Sequence, residues 1–310
     1  MLRFIFTFFS FLFLTTCATT SNSVQMPIKP PDPLADLDSM GEFAPLESGA
    51  EAYVFIDASR SQPILELFAL GNMTPQQFGQ IAERTSAVRA ALYKKTVEGQ
   101  KDNFMAVAQG DYPNVLSAMA LTANSDWQKV RAWNGAPYWY SETAGLAMTM
   151  NAKWMLFSTR EPFAHEPASL PPAGFDGFRQ SAIIAGWLED QSALNKTLEV
   201  MEIPIEINAK TVFFRVDSLQ SSTDPDKTAY KMILRLELSD PEQSAALMML
   251  FELARLFIGE NSAPDTPQSL AAKAFLANPL DADKGVLTLT SDDLSAERLA
   301  MIFDIFSACL

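Results

Sequence analysis

The chain has 310 residues, 48% of them hydrophobic, and its 37 acidic against 23 basic side chains leave a net charge of −14. That balance argues against nucleic acid, which is held through clustered Lys and Arg, and against electrostatic attraction to anionic lipid headgroups. An apolar fraction of this size buries a large core, as one big or two small domains.

Met1-Leu2-Arg3 opens the chain with a positive charge, and Phe4 through Leu14 follow as a mostly apolar run broken by Thr7 and Ser10, the build of a secretory signal. The run is too short to span a bilayer, which needs about 20 apolar residues. Leu14-Thr15-Thr16-Cys17 resembles the bacterial lipobox, a Leu-led triplet before a cysteine; Thr16 departs from the Gly, Ala or Ser usual there. The resemblance implies a signal peptide over residues 1–16, diacylation of Cys17 with palmitate-type chains and, because Ala18 rather than Asp follows, the outer membrane with the body facing the periplasm. An ordinary signal cut near Ala18, leaving a soluble secreted protein, is the alternative. Once Cys17 is acylated Cys309 has no partner, so no disulfide framework is expected; its setting in IFDIFSACL reads as a buried thiol. Residues 17–50, rich in Ser, Thr, Pro and Asp, read as a flexible tether.

The body is expected over residues 51–310. AYVFIDA reads as a strand and QPILELF as a short helix. Thr74-Pro75-Gln76-Gln77 is a helix start, and Phe78, Ile81, Val88 and Leu92 recur near helical spacing to about Val97. NFMAVAQ is a strand and YPNVLSAMALTA a helix. Short strands KVRAW, PYWY, GLAMTM and KWMLFST follow, with Asn134-Gly135 a hairpin turn. After the loop FAHEPASLPPAGFDG come a helix, FRQSAIIAGWL, and the strands IEIN and TVFFRVDSL. YKMILRLEL is a strand; Asp240-Pro241-Glu242-Gln243 opens a helix through Ile258; PQSLAAKAFLA is a second helix, KGVLTLT a strand and SDDLSAERLAMIFDIF a last helix. The order predicts an α+β fold, antiparallel sheet with packed amphipathic helices. It reads as an internal duplication of a strand-helix-helix-strand-helix unit in two halves, about 51–160 and 173–310.

No catalytic constellation stands out. His165 is the single histidine, so a Ser-His-Asp triad, a Cys-His pair or a multi-histidine zinc site would have to use it. Gly-x-Ser-x-Gly, Ser-x-x-Lys and phosphate-cradling Gly-rich loops are absent. Asp281-Ala282-Asp283-Lys284-Gly285 has its glycine one place too early for a calcium loop and reads as a solvated turn. The expectation is no catalysis, no cofactor and no metal.

The apolar helices say more. AALMMLFELARLFIG carries Glu252 and Arg255 as its charges; it is either buried between sheet and neighbour or opens to lie in a lipid interface with those two side chains in water. The same choice applies to LAMIFDIFSACL. Candidate membrane or ligand contacts are Leu247, Met248, Phe251, Leu256, Phe257, Ile302, Phe303 and Phe306. Trp133, Tyr138, Trp139 and Tyr140 are candidates for a protein interface, since Trp and Tyr favour interface centres as well as cores.

Lipobox, Pro-rich tether, antiparallel body, amphipathic helices and missing catalytic set together resemble the treponemal outer-membrane-associated lipoproteins. The resemblance implies a non-catalytic role that binds membrane lipid or a hydrophobic ligand. The other reading is an anchored periplasmic scaffold or assembly factor that docks a protein partner on its aromatic sheet face. An exposed apolar groove between helices favours the first, a flat exposed Trp and Tyr patch the second.

Overall fold

A computed structural model describes residues 34, 43, 45–62, 64, 83–94, 103–112, 126–164, 168, 170–189, 191–200, 203, 205–220, 228–261, 266–276, 278, 281–283 and 285–309. Cys17, His165, residues 65–68 of the short helix QPILELF, residues 74–82 and 95–97 of the helix expected from Thr74 to about Val97, and residues 113–123 of the helix YPNVLSAMALTA lie outside these residues.

Twelve strands of the described chain make one sheet, and every neighbouring pair in it is antiparallel. In chain order they are β1 (Ala52–Asp57), β2 (Thr85–Tyr93), β3 (Asn103–Gly110), β4 (Gln128–Arg131), β5 (Pro137–Ser141), β6 (Leu146–Met150), β7 (Trp154–Ser158), β8 (Ile184–Leu188), β9 (Ala209–Gln220), β10 (Thr228–Leu238), β11 (Asp281–Asp283) and β12 (Val286–Thr290). Across the sheet the order is β11-β12-β10-β9-β8-β1-β2-β3-β7-β6-β5-β4. The first and the eighth strands therefore sit side by side at the middle, with the β2–β3 hairpin outside one and the β9–β10 hairpin outside the other. The helices lying within the described residues are α1 (Phe175–Arg179), α2 (Ser192–Val200), α3 (Ser244–Asn261), α4 (Pro267–Leu276) and α5 (Ala296–Cys309). The α+β expectation holds.

Alternation decides which residues face the helices. In β10, Tyr230, Met232, Leu234, Leu236 and Leu238 are buried on one face, while Lys231, Ile233, Arg235 and Glu237 point to the other and are half-buried, the period of two that a pleated strand imposes. The first face carries the larger core: Val54, Ile56, Val88, Phe104, Met148, Phe157, Val212 and Leu287 meet Leu194 and Leu198 of α2, Phe275 of α4 and Leu299 and Ile302 of α5. Gly186 sits where the backbone of β1 and a core ring come close. A Cβ there would lie 2.3 Å from the carbonyl oxygen of Tyr53 and 2.4 Å from the ring of Phe214, so the position admits no side chain.

Opposite lies an aromatic core. Trp187 of β8 has the rings of Phe43, Tyr53 and Phe175 each 4.8 Å away; such offset and edge-on pairs add about 0.5–1.5 kcal/mol each beyond area burial. Phe43 belongs to the stretch that the sequence reading gives to the tether. Leu34, Phe43, Leu46 and Ala50 are all buried in this core. Glu47 fixes the segment: its carbonyl accepts from the hydroxyls of Tyr53 (3.0 Å) and Tyr93 (2.8 Å), and its Oε1 accepts the Ala164 N–H at 2.8 Å. Arg160 completes the arrangement, 3.9 Å from the Glu47 carboxylate and stacked over the Tyr93 ring. Burial, followed by neighbouring Tyr53 and Glu47, raises the Tyr93 hydroxyl well above its ordinary pKa. The folded body thus reaches upstream of residue 51.

Two stretches expected to be helical are strands. Thr85–Tyr93 is β2, although Val88 and Leu92 fit the helical spacing read from Phe78; a step of four is compatible with both periods, 3.6 and 2.0. Ile184–Leu188 is β8, buried along its length, and of FRQSAIIAGWL only its first residues join α1, which ends before Ser181 turns the chain at φ 72. IEIN forms no ladder. β2 lies between the two strands paired in the first proposed half, and β11 lies between α4 and β12 in the second, so the described residues do not show a repeated strand-helix-helix-strand-helix unit.

Candidate functional site

The root of α3 is tightly specified. Asp240 accepts the Glu242 N–H at 3.0 Å, Pro241 starts a single 3-10 turn, and the α-helix runs on from Ser244, the capping chemistry the sequence announces. Gly285, with φ +83, lies under Pro241, whose Cβ is 2.7 Å from where a Gly285 side chain would begin.

Beyond its root the helix presents two apolar sides. Leu247, Phe251 and Ala254 are buried, spaced i, i+4, i+7 along the stripe that faces the sheet. Met249, Leu250, Leu253 and Leu256 are exposed, at 68, 45, 44 and 62%. At 3.6 residues per turn these four fall within one arc of about 120° on the side turned from the buried stripe. Glu252 and Arg255, both exposed and 3.5 Å apart, form an ion pair beside that arc, with Met248 between them at 37% exposure. A pair in water contributes about 0–1 kcal/mol, so it marks the wet side of the helix more than it holds the fold.

The eight helix candidates are thus divided. Leu247 and Phe251 are core; Met248 and Leu256 are exposed; the side chain of Phe257 lies outside what the structure describes. On α5, Ile302 and Phe306 are buried and Phe303 is half-buried against the same core. Met249, Leu250 and Leu253, absent from the sequence-based set, complete the exposed arc. Their spacing with Leu256 was available; a helix apolar nearly all round does not say which arc meets the sheet. The seam between α3 and α4, lined by Phe251, Arg255, Phe275 and Leu289, encloses about 10 Å³, room for about one water. A larger recess of about 590 Å³ beside α2 is lined by Ile203 and Ile205 together with Asn195, Lys196, Glu199 and Glu206.

Among the aromatic candidates, Trp133 is 73% exposed at the β4–β5 turn, with its indole N–H donated to the carbonyl of Phe163 and its backbone N–H to Glu161 at 3.1 Å. Tyr140 is 38% exposed, Tyr138 is buried against Ala132, Ala136 and Ala147, and Trp139 packs on the helix-side core. Burial raises the Tyr138 hydroxyl pKa, assisted by Glu161 and Tyr140. The four rings therefore split between the two faces instead of forming one patch. Among the described residues no cluster of His, Cys, Asp and Glu could hold a metal ion, and no helix is long and apolar enough to cross a membrane.

No family model matches the chain, and no curated protein matches it significantly. Solved structures do. Crystal form I of the treponemal protein TP0453 aligns with a TM-score of 0.55 at 14% identity, covering 87% of this chain and 98% of that one. Form III gives 0.54 at 15%, over 86% and 97%, and form IV gives 0.52 at 14%, over 84% and 95%. At this identity the likeness is one of fold, and it extends over nearly the whole of the TP0453 chain.

Proposed function

We propose that the protein is a non-catalytic lipoprotein, anchored in the outer membrane through Cys17 with its body in the periplasm, that contacts membrane lipid or a hydrophobic ligand through α3. The observation that carries this is the exposed apolar arc of Met249, Leu250, Leu253 and Leu256. Water-facing helix surface is ordinarily polar; four neighbouring apolar side chains left there form the surface that an interfacial helix buries in the headgroup and acyl boundary. The shared fold with a treponemal protein supports the reading. Leu247, Phe251, Ile302 and Phe306 serve the core in it, which narrows the contact to one side of one helix.

Trp133 favours a second reading, a protein partner docked at the β4–β5 turn, because a rigidly held and exposed indole is the kind of anchor that interface centres use. Flotation with phosphatidylcholine vesicles separates the two. The Cys17→Ser chain, free of acyl chains, floats if α3 carries the contact, and remains at the bottom if Trp133 serves a protein partner alone. Cys17→Ser also tests the anchor. Two acyl chains give stable attachment, so the variant moves to the soluble periplasmic fraction and loses its acyl mass. A wild-type chain with no acyl mass, or a variant that stays membrane-bound in cells while failing to float, overturns the anchor.

A further inference from the structure

The lipid-contact surface contains Met249, the most accessible thioether among the described residues. Met105, Met148, Met155 and Met232 are buried to 4% exposure or less, and Met150 and Met301 are half-buried. Among the described methionines only Met248 (37%) and Met249 (68%) are exposed, side by side on α3. Met249 stands within the apolar arc, four and seven residues before Leu253 and Leu256, so its thioether is part of the surface that meets lipid. Leucine has the same size and apolarity without the reactive sulfur; a thioether here is a chemical liability that the packing alone does not require.

We propose that Met248 and Met249 are an oxidation site, and that conversion of Met249 to its sulfoxide by hydrogen peroxide releases α3 from lipid. A sulfur lone pair attacks one peroxide oxygen; the O–O bond breaks as the S–O bond forms, and the departing hydroxide takes the proton of the sulfur-bound OH and leaves as water, with the sulfoxide remaining. Sulfur is oxidised by two electrons and the peroxide is reduced by two. The product is polar and accepts hydrogen bonds that an acyl environment cannot supply. Met248, between Glu252 and Arg255 on the wet side, oxidises with little effect on contact. Reduction by methionine sulfoxide reductases returns the thioether, which makes the change reversible. The inference rests on the lipid contact proposed for α3.

The Cys17→Ser chain treated with hydrogen peroxide, then mapped by peptide mass and floated with phosphatidylcholine vesicles, tests it. Oxygen is expected on the Met248–Met249 peptide before Met105, Met148, Met155 or Met232, together with a loss of vesicle binding of about tenfold or more and an unchanged circular dichroism spectrum. Met248→Leu with Met249→Leu floats equally before and after peroxide, and sulfoxide reductase restores the oxidised wild type. Oxidised wild type that floats undiminished, buried methionines that react as fast, or a leucine variant that loses flotation to the same degree overturns the oxidation site while leaving the lipid contact intact. An untreated chain that never floats sinks the lipid contact itself, and the switch with it.

Discussion

Helices α3 and α5 start from nearly the same composition and end in different environments. Both are apolar helices in the last quarter of the chain, both lie on the same face of the sheet, and each packs on α4. In α5 the large side chains Leu299, Ile302, Ile305 and Phe306 are buried, Met301 and Phe303 are half-buried, and Glu297 and Arg298 are exposed; among its described side chains no large apolar one is exposed. α3 buries Leu247, Phe251 and Ala254 and then has more apolar residues than the sheet and α4 can receive. Hydrophobic content is thus shared by the two helices, and what distinguishes them is whether a partner exists for every side. The surplus on α3 is what makes it a candidate site and leaves α5 a structural element.

The strongest way to break this comparison is to place a charge under each helix. Phe251→Asp and Ile302→Asp both put a carboxylate into the helix-side core, adding the burial of an unpaired charge to the loss of a large side chain, which by itself costs about 2–5 kcal/mol. Against a total stability of about 5–15 kcal/mol, both variants are expected to be unfolded by circular dichroism or to melt at sharply lower temperature. Unchanged melting of either variant refutes its placement in the core. Leu253→Glu with Leu256→Glu asks the opposite question on the outer arc. Exposed substitutions change stability by about 0.5 kcal/mol or less each, so the double variant stays folded. Each lost side chain removes roughly 1.5–3 kcal/mol of available apolar burial, and vesicle flotation of the Cys17→Ser chain is abolished. If the double variant floats as well as its parent, the arc does not touch lipid.

How much of this was legible in the sequence follows from what each signal measures. The cap Asp240-Pro241 and the strand YKMILRLEL were readable because both are local: one is a side chain bonded to its own backbone, the other a strict alternation. β2 and β8 were missed because central strands buried on both faces lose the alternation that identifies a strand, and TSAVRAALY and IAGWL are apolar with alanine or glycine between. The extension of the body to Leu34 was missed for another reason. Its composition is that of a tether, and a few large side chains decide the matter: Leu34, Phe43 and Leu46 are buried in the aromatic core, where Phe43 meets the ring of Trp187, far away in the chain. On α3 the sequence supplied the residues and the period; the choice of arc depended on where the sheet lies.

The root of α3 offers a smaller and sharper test. Gly285→Ala forces a side chain into left-handed backbone at φ +83 and against Pro241, a strain of about 1–3 kcal/mol. Its expected result is a lowered melting temperature with vesicle binding retained, since the outer arc is unaltered. In α5 the first turn has no such glycine contact, and Ala300→Gly, a half-buried position in its second turn, is expected to cost about 1 kcal/mol from helix propensity alone. Equal losses at the two sites mean that the Pro241 contact adds nothing at the helix root.

The smallest expected effect is the response of lipid binding to salt, and it discriminates well because the electrostatic alternative predicts a large one. The chain carries −14 overall, and the charges next to the α3 arc, Glu252 and Arg255, neutralise each other at 3.5 Å. A contact made by Met249, Leu250, Leu253 and Leu256 contains no charge for counterions to screen. Raising ionic strength from about 0.05 to about 0.5 M shortens the Debye length from about 14 to about 4 Å, which weakens any repulsion between the acidic body and anionic vesicles and leaves apolar burial nearly unchanged. Flotation on phosphatidylcholine is therefore expected to change by less than about twofold, and flotation on vesicles containing anionic lipid to hold steady or rise. A steep fall in binding as salt increases requires a basic surface on the body, and with it the α3 arc ceases to be the element that distinguishes this helix from α5.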